Sequence, residues 1–194
     1  MTLRVLRARI GAVCMVLALF ASIDASAAPV NKFATTTQVR GTPLILNGSG
    51  TRYRAVFKVY DVGMYTTAKV GTPEEVIALA GPKRLNFIAL RDLDTTDVGL
   101  GFVKTMRMNA TPEQMLRHTP EINRLIEIFS TRSKVLAGQS FAMEYVPGIG
   151  TTFFIMNEAQ GAPVGDAEFF AMVLNIWLGP SPADPLLKDA LLSR

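Results

Sequence analysis

Charged and phenolic side chains alternate along one segment of the chain, and these residue types are suited to binding a small anion. They stand at even-numbered positions of the segment and are Arg52, Arg54, Lys58 and Tyr60. Alternate side chains of a strand point to the same face of a sheet, so a solvated surface would explain the pattern. Alternatively, one arginine points into the protein, where its guanidinium could bind a carboxylate through two hydrogen bonds and a phenol could add a third.

Other kinds of chemistry find little support in the sequence. The single histidine, His118, cannot form a two-histidine metal site, and neither a G-x-S-x-G motif nor clustered carboxylates accompany it. We expect His118 on a helix surface, near a bend at Pro120. Asn47-Gly48-Ser49-Gly50 is predicted to be a tight turn and not a phosphate loop, because no G-x-G-x-x-G pattern follows it. We therefore expect no metal and no cofactor, and no catalytic residue is assigned.

The N-terminus has the pattern of a secretory signal peptide. A basic start precedes an apolar run over residues 10–23, and Ala25-Ser26-Ala27 follows. The run is shorter than the roughly 20 residues that a membrane-spanning helix needs. We expect cleavage after Ala27 or Ala28, which divides the chain into a signal peptide, 1–28, and one domain, 29–194. The mature protein would be periplasmic or secreted and would have no stable membrane span.

Charge and cysteine content exclude two further classes of protein. The formal net charge is +4, and lysines and arginines are scattered along the chain, so we expect no nucleic-acid partner. The only cysteine, Cys14, lies in the predicted signal peptide. The mature domain would have neither a disulfide nor a thiolate metal site, and packing alone would stabilise it.

The order of the predicted elements indicates an α+β fold. Strands are predicted at Thr36–Val39, Leu44–Leu46, Arg52–Tyr65, Leu85–Leu90, Gln139–Val146 and Thr151–Met156. Helices are predicted from Thr72 to Gly81, at Thr95–Met108, Thr111–Phe129 and Ala167–Leu178, and after Asp184-Pro185. Strands, then helices, a hairpin and further helices form a segregated order, which differs from the βαβ alternation of a parallel sheet.

Two sets of residues resemble the opening and closing signatures of the bacterial, exported branch of the chalcone isomerase-like family. The first is Leu46-Asn47-Gly48-Ser49-Gly50-Thr51-Arg52, followed by Phe57-Lys58-Val59-Tyr60. The second is Tyr145-Val146-Pro147-Gly148-Ile149-Gly150-Thr151, followed by Ile176-Trp177-Leu178-Gly179-Pro180. The resemblance implies an open-faced β-sandwich of the chalcone isomerase type. In that fold a large antiparallel sheet carries a helical layer on one face, and the ligand cleft lies between them.

The resemblance also implies where a ligand would bind. The family's site positions fall on Arg52, Tyr60, Phe102, Asn109 and Ile176 of this chain. In plant chalcone isomerases, the positions of Tyr60, Phe102 and Ile176 hold a threonine, a tyrosine and another hydroxyl residue that take part in ring closure. Since Phe102 and Ile176 cannot donate a hydrogen bond to an enolate, flavonoid cyclisation by that mechanism is not expected.

An arginine with a tyrosine instead resembles the fatty-acid-binding branch of the family, in which the two hold a carboxylate and an apolar cleft holds the tail. We therefore expect non-catalytic binding of a fatty acid or another small apolar acid. In a straight strand, however, Arg52 and Tyr60 would lie about 26 Å apart, so a bend or bulge is required and Arg54 is a second candidate anchor. The alternatives are an isomerase, an intramolecular lyase acting on an unknown small molecule, and a structural protein of the cell envelope.

Overall fold

The structure, a computed structural model, describes residues 32–193. The signal peptide predicted for residues 1–28 and its cleavage position lie outside the described residues. Residues 32–193 belong to one compact unit. None of the helices in this part of the chain is both long and apolar enough to cross a bilayer.

Nine strands and six helices make up the described chain. The strands are β1 Thr36–Val39, β2 Thr42–Arg54, β3 Phe57–Thr66, β4 Lys83–Ala89, β5 Leu93–Asp94, β6 Lys134–Val135, β7 Ser140–Val146, β8 Gly150–Ile155 and β9 Glu158–Ala159. The helices are α1 Pro73–Ala78, α2 Thr95–Asn109, α3 Pro112–Arg117, α4 Thr119–Ser130, α5 Ala167–Leu178 and α6 Pro185–Leu191.

Seven of these strands form one large sheet, in the order β1-β2-β3-β4-β7-β8-β9. Every neighbouring pair in it is antiparallel. Strands β5 and β6 pair separately as a short ribbon. An antiparallel sheet combined with segregated helices is an α+β fold, so the predicted fold class is confirmed.

The main core lies between one face of the large sheet and the helices. Along β4, Leu85, Phe87 and Ala89 are buried and alternate with half-buried residues. Helix α5 adds eight buried side chains, among them Phe169 and Trp177. The opposite face of the sheet carries a smaller apolar cluster of Phe33, Val39, Leu44, Leu46 and Tyr65. The helical layer therefore covers a single face.

Three helices begin where their capping residues predicted them. A capping box of Thr72 and Glu75 opens α1, and Thr111 and Gln114 repeat it at α3. The carboxylate of Asp166 caps α5. Each of these side chains satisfies a backbone N–H that the first turn of a helix leaves without a partner.

The prediction of one continuous strand over Arg52–Tyr65 is wrong. Strand β2 ends at Arg54, the chain reverses at Ala55 and Val56, and β3 returns antiparallel to β2. Ala55 has a φ of 53°, in the left-handed region that glycine and asparagine usually occupy in such turns. Since neither residue type stands at the reversal, the sequence carries no turn signal there.

The tight turn predicted at Asn47-Gly48-Ser49-Gly50 is wrong as well. This segment lies inside β2, where the register with β3 shifts next to Asn47, as at a β-bulge. The Asn47 amide donates hydrogen bonds to the carbonyl oxygens of Val70 and Leu191, at 3.0 and 2.8 Å. A Cβ at Gly48 would overlap the backbone at the end of α6. The segment therefore makes room for α6 to pack on β2, and it does not reverse the chain.

The surface position predicted for His118 is wrong, because His118 is buried at the junction of α3 and α4. Its Nε2 lies 3.1 Å from the carboxylate of Glu168 on α5. The bent helix predicted over Thr111–Phe129 is two helices that separate at His118. Pro120 occupies the first turn of α4, where its missing N–H removes no helical hydrogen bond.

Candidate functional site

The β2–β3 hairpin brings Arg52 and Tyr60 together. The two are directly opposite each other in the register of the strands, and opposite residues have Cβ atoms about 4.5–5.5 Å apart. The Cζ atom of Arg52 lies 5.6 Å from the centroid of the Tyr60 ring, within cation–π range. The separation of about 26 Å that a straight strand would impose does not occur, because the chain reverses between the two residues.

The phenol of Tyr60 is buried, and α5 supplies its hydrogen-bond partner. The Nε1 of Trp177 donates a hydrogen bond of 2.8 Å to the Tyr60 hydroxyl oxygen. Burial raises the pKa of Tyr60 to about 12, against the opposing effects of the Arg52 charge and of this hydrogen bond. The phenol is therefore neutral at physiological pH and keeps a proton that it can donate.

Arg52 has a buried donor without a partner. Its Nε atom is buried, and no residue between 32 and 193 accepts a hydrogen bond from it. Buried polar groups of native proteins nearly always have a hydrogen-bond partner, and leaving one unsatisfied costs about 1–3 kcal/mol. An anion bound beside Arg52 would relieve that cost.

A cavity of about 560 Å³ opens beside this pair. Its volume lies in the range of about 300–1,000 Å³ that is typical of small-molecule sites. The apolar side chains in its wall are those of Val59, Leu93, Val98, Phe102, Met108, Ile176 and Ala183. Exposed charged residues also line it, namely Arg54, Arg91, Asp92, Asp94, Asp97 and Lys104. The cavity therefore combines an apolar wall with a charged rim.

Aromatic side chains fill the space inward of the cavity. The ring centroids of Phe102 and Trp177 are 5.2 Å apart, as are those of Trp177 and Phe87. Phe102 also packs edge-to-face on Phe129, at 5.5 Å. Because the space between sheet and helices is packed here, a ligand would occupy the cavity beside α2 and not the interior of the domain.

Four of the five predicted site residues line this cavity: Arg52, Tyr60, Phe102 and Ile176. Asn109 is not among the lining residues. Its Nδ2 donates a hydrogen bond of 2.9 Å to the carbonyl of Ser181, and its Oδ1 accepts one of 2.8 Å from the Ser181 N–H. The Asn109 amide thus holds the loop that follows α5.

Sequence reasoning missed the acidic residues of the cavity. Asp92, Asp94 and Asp97 line it, and Asp94 also caps α2 by accepting a hydrogen bond of 3.0 Å from the Asp97 N–H. The Asp-x-Asp spacing before a helix was a usable signal for the cap. That spacing does not predict that α2 starts beside the β2–β3 hairpin, because the contact joins distant parts of the chain. Arg54, the second candidate anchor, lines the same cavity with an exposed side chain.

The part of the cavity beside Arg52 and Tyr60 has the groups to bind an acid. A guanidinium with a free buried N–H and a neutral phenol can both donate to a carboxylate, and the apolar wall can contact a hydrocarbon. Among residues 32–193, no three His, Asp, Glu or Cys side chains are grouped so that they could hold a metal ion. Phe102 and Ile176 offer no hydrogen-bond donor.

Comparison with known proteins bears on both the fold and the family. No curated protein sequence matches this chain. Among solved structures, a fatty-acid binding protein of Arabidopsis thaliana is similar, with a TM-score of 0.59 and 14% identity over 82% of this chain and 90% of that one. This likeness confirms the chalcone isomerase type of fold that the resemblance implied. Residues 27–193 match the sequence profile described as chalcone isomerase-like. The chain therefore belongs to the chalcone isomerase-like family.

Proposed function

We propose that this protein binds a small apolar carboxylic acid, such as a fatty acid, without transforming it. Arg52 holds the carboxylate, Tyr60 donates a hydrogen bond to it, and Phe102 and Ile176 contact the hydrocarbon. The observation that carries the proposal is the buried Nε of Arg52, for which residues 32–193 provide no acceptor.

A carboxylate suits both donors. A guanidinium and a carboxylate form short, charge-assisted hydrogen bonds in a two-point geometry. Tyr60 already accepts a hydrogen bond from Trp177, so its own proton is the group it can offer to a ligand. The similar Arabidopsis structure is that of a fatty-acid binding protein, and the same class of ligand suits this cavity.

Binding is favoured over an isomerase reaction because the apolar wall lacks groups for proton transfer. General acid–base catalysis needs a side chain that can exchange a proton with the reacting atom near neutral pH. Phe102 and Ile176 have none, and the raised pKa of about 12 makes Tyr60 a weak acid. The carboxylates of the cavity, Asp92, Asp94 and Asp97, are exposed residues of its rim, so the apolar wall beside Arg52 and Tyr60 favours binding.

Export is part of the same proposal. The basic start, the apolar run over residues 10–23 and Ala25-Ser26-Ala27 support a cleaved signal peptide. The protein would then bind its ligand in the periplasm or outside the cell.

Titration of laurate and dodecanol into wild type and Arg52→Ala tests the proposal. Losing a charged hydrogen bond at a partly desolvated site should weaken laurate binding by about 1.5–3 kcal/mol, which is roughly ten-fold to more than a hundred-fold. Dodecanol has the same hydrocarbon without the charge, so the substitution should weaken its binding much less. Arg52→Met, which keeps an unbranched apolar stem, separates the loss of charge from the loss of packing.

Arg54→Ala is the matched control, because Arg54 lines the same cavity but is exposed. It should weaken laurate binding by a smaller factor than Arg52→Ala. If both Arg52 variants bound laurate as tightly as wild type, or if wild type bound neither ligand, the proposal would have to be abandoned.

A further inference from the structure

The tip of the β2–β3 hairpin, residues 53–58, exposes apolar side chains. Val56 is 81% exposed, Phe57 is 62% exposed and Tyr53 is 42% exposed. Within residues 32–193, no large apolar side chain is more exposed than Val56. Val56 and Phe57 are adjacent at the turn, whereas the register places Tyr53 opposite Lys58, on the other face of the hairpin from Phe57. Adjacent exposed apolar residues mark interaction sites more often than scattered ones do.

The hairpin tip is also cationic. Arg54 and Lys58 flank Val56 and Phe57, and residues 53–58 include no acidic residue. The carboxylate nearest in contact, that of Asp184, is buried and accepts a hydrogen bond of 2.9 Å from the Tyr53 N–H. Neither Arg54 nor Lys58 has an ion-pair partner between residues 32 and 193. Arg91 adds a third positive charge, because its Cζ lies 5.9 Å from the centroid of the Phe57 ring.

We propose that the hairpin tip docks onto an anionic lipid surface. Val56 and Phe57 insert at the level of the headgroups, while Arg54, Lys58 and Arg91 lie near the lipid phosphates. Peripheral attachment to membranes commonly combines these two contributions, apolar insertion and attraction of basic residues to anionic lipid.

Size and charge favour a lipid surface over a protein partner. A stable protein interface buries about 1,200–2,000 Å² in total, which the six residues of one turn cannot provide alone. Pairing of two tips from two copies of this chain would bring Arg54 and Lys58 of each copy close to those of the other. A fluid anionic surface accepts a narrow tip and neutralises its charge.

Docking would place the entrance of the cavity at the lipid surface. Arg54 and Arg91 belong to the basic group around the tip and also line the cavity. An apolar acid could then pass between the bilayer and Arg52 with little exposure to water. This last step rests on the proposed function, whereas the docking itself does not.

Sedimentation with vesicles tests the docking. Wild type should sediment with vesicles of equimolar phosphatidylglycerol and phosphatidylcholine, less with phosphatidylcholine alone, and less as salt is raised. Val56→Ser/Phe57→Ser removes the apolar insertion and should weaken binding by about ten-fold or more. Lys58→Gln should weaken binding by about five-fold, on the anionic vesicles only. All variants are compared with the same N-terminus, so residues 10–23 contribute equally if they are retained.

Leu116→Ser is the matched control, because Leu116 is 78% exposed but lies on α3. It should bind vesicles as wild type does. Laurate titration separates the two proposals: neither Val56 nor Phe57 lines the cavity, so the double variant should bind laurate normally. Wild type that binds vesicles but no laurate would contradict the proposed function alone.

Three results would overturn the docking proposal. Wild type could remain in the supernatant with anionic vesicles, or the double variant could sediment as wild type does. The third is a wild-type dimer, seen by light scattering, that Val56→Ser/Phe57→Ser converts to a monomer, since the tip would then pair two copies of the chain.

Discussion

The hydroxyl of Tyr60 uses only part of its hydrogen-bonding capacity within the described chain. Its oxygen accepts from the indole N–H of Trp177, and no acceptor for its own proton is found between residues 32 and 193. Trp177 therefore limits the directions in which the phenol can donate. Together with the free Nε of Arg52, the phenol gives this part of the cavity two hydrogen-bond donors, and an anion could accept from both.

Tyr60→Phe should destabilise the protein, because it removes the acceptor of a buried indole N–H. An unsatisfied buried donor costs about 1–3 kcal/mol, so the free energy of unfolding should fall by about that amount. Urea unfolding followed by Trp177 fluorescence measures the change. Tyr53→Phe is the control, since Tyr53 is exposed, and it should leave the urea midpoint unchanged.

Tyr60→Phe should also change how the free energy of unfolding depends on pH. Burial raises the pKa of Tyr60 from 10.0 to about 12, so the folded state favours the neutral phenol. That contribution to stability is fully present below pH 10 and is lost as the pH rises towards 12. Between these values, wild type should lose about 2–3 kcal/mol more than Tyr60→Phe does. Unfolding curves that fall in parallel for the two proteins would show that Tyr60 does not titrate with a raised pKa.

At the scale of elements, the interior of β2 is shaped by the helix that packs on it. Gly48 lies against the backbone at the end of α6, and the Asn47 amide binds the Leu191 carbonyl. Strand β2 therefore needs a residue without a side chain at position 48 and an amide next to it. Sequence reasoning took the same residues for a turn because glycine and asparagine are typical of both situations.

Two glycine substitutions should therefore change the free energy of unfolding in opposite directions. Gly48→Ala forces a methyl group against backbone that has little freedom to move, and should cost about 1–3 kcal/mol of stability. Gly101→Ala, in the interior of α2, meets no atom within 4 Å and should stabilise the protein by about 0.5–1 kcal/mol through helix propensity. Urea midpoints of the two variants and wild type decide the matter. A stable Gly48→Ala protein would show that α6 docks differently.

The elements that could be predicted are those whose signals are local. Capping residues such as Thr72 and Asp166 act on backbone three positions away, so the starts of α1 and α5 follow from the sequence. The reversal at Ala55 and Val56 has no local signal, and the hairpin is instead completed by pairing along β2 and β3. Burial of His118 depends on Glu168, fifty positions later, and such distant contacts are not encoded in spacing.

At the scale of the whole molecule, the family fold positions the site while individual residues set its chemistry. The resemblance located Arg52, Tyr60, Phe102 and Ile176, and the structure places all four around one cavity. The geometric objection to the Arg52 and Tyr60 pair depended on the single-strand prediction, and the hairpin removes it. The family's site position does not predict the role of Asn109 in this chain, because its amide is hydrogen-bonded to the backbone of Ser181.

The residues just after the predicted cleavage position contact the rest of the domain. Cleavage after Ala27 or Ala28 would remove the basic and apolar N-terminus and leave every residue from Lys32 onward. That matters because Lys32 pairs with the buried carboxylate of Asp61 at 2.6 Å, and the buried ring of Phe33 lies against Gly63.

N-terminal sequencing of the protein from its native cells should therefore find Ala28 or Pro29 first. A chain that begins at Pro29 should unfold at the same urea concentration as the native mature protein. One that begins at Ala34 loses the Lys32 ammonium beside Asp61 and the ring of Phe33, and burial of a phenylalanine alone contributes about 1.5–3 kcal/mol. It should be less stable by about 2 kcal/mol or more, because a buried carboxylate also loses its charged partner. Recovery of a chain that retains the basic N-terminus would refute the proposed export, whereas an Ala34 chain as stable as the Pro29 chain would contradict the contacts of Lys32 and Phe33.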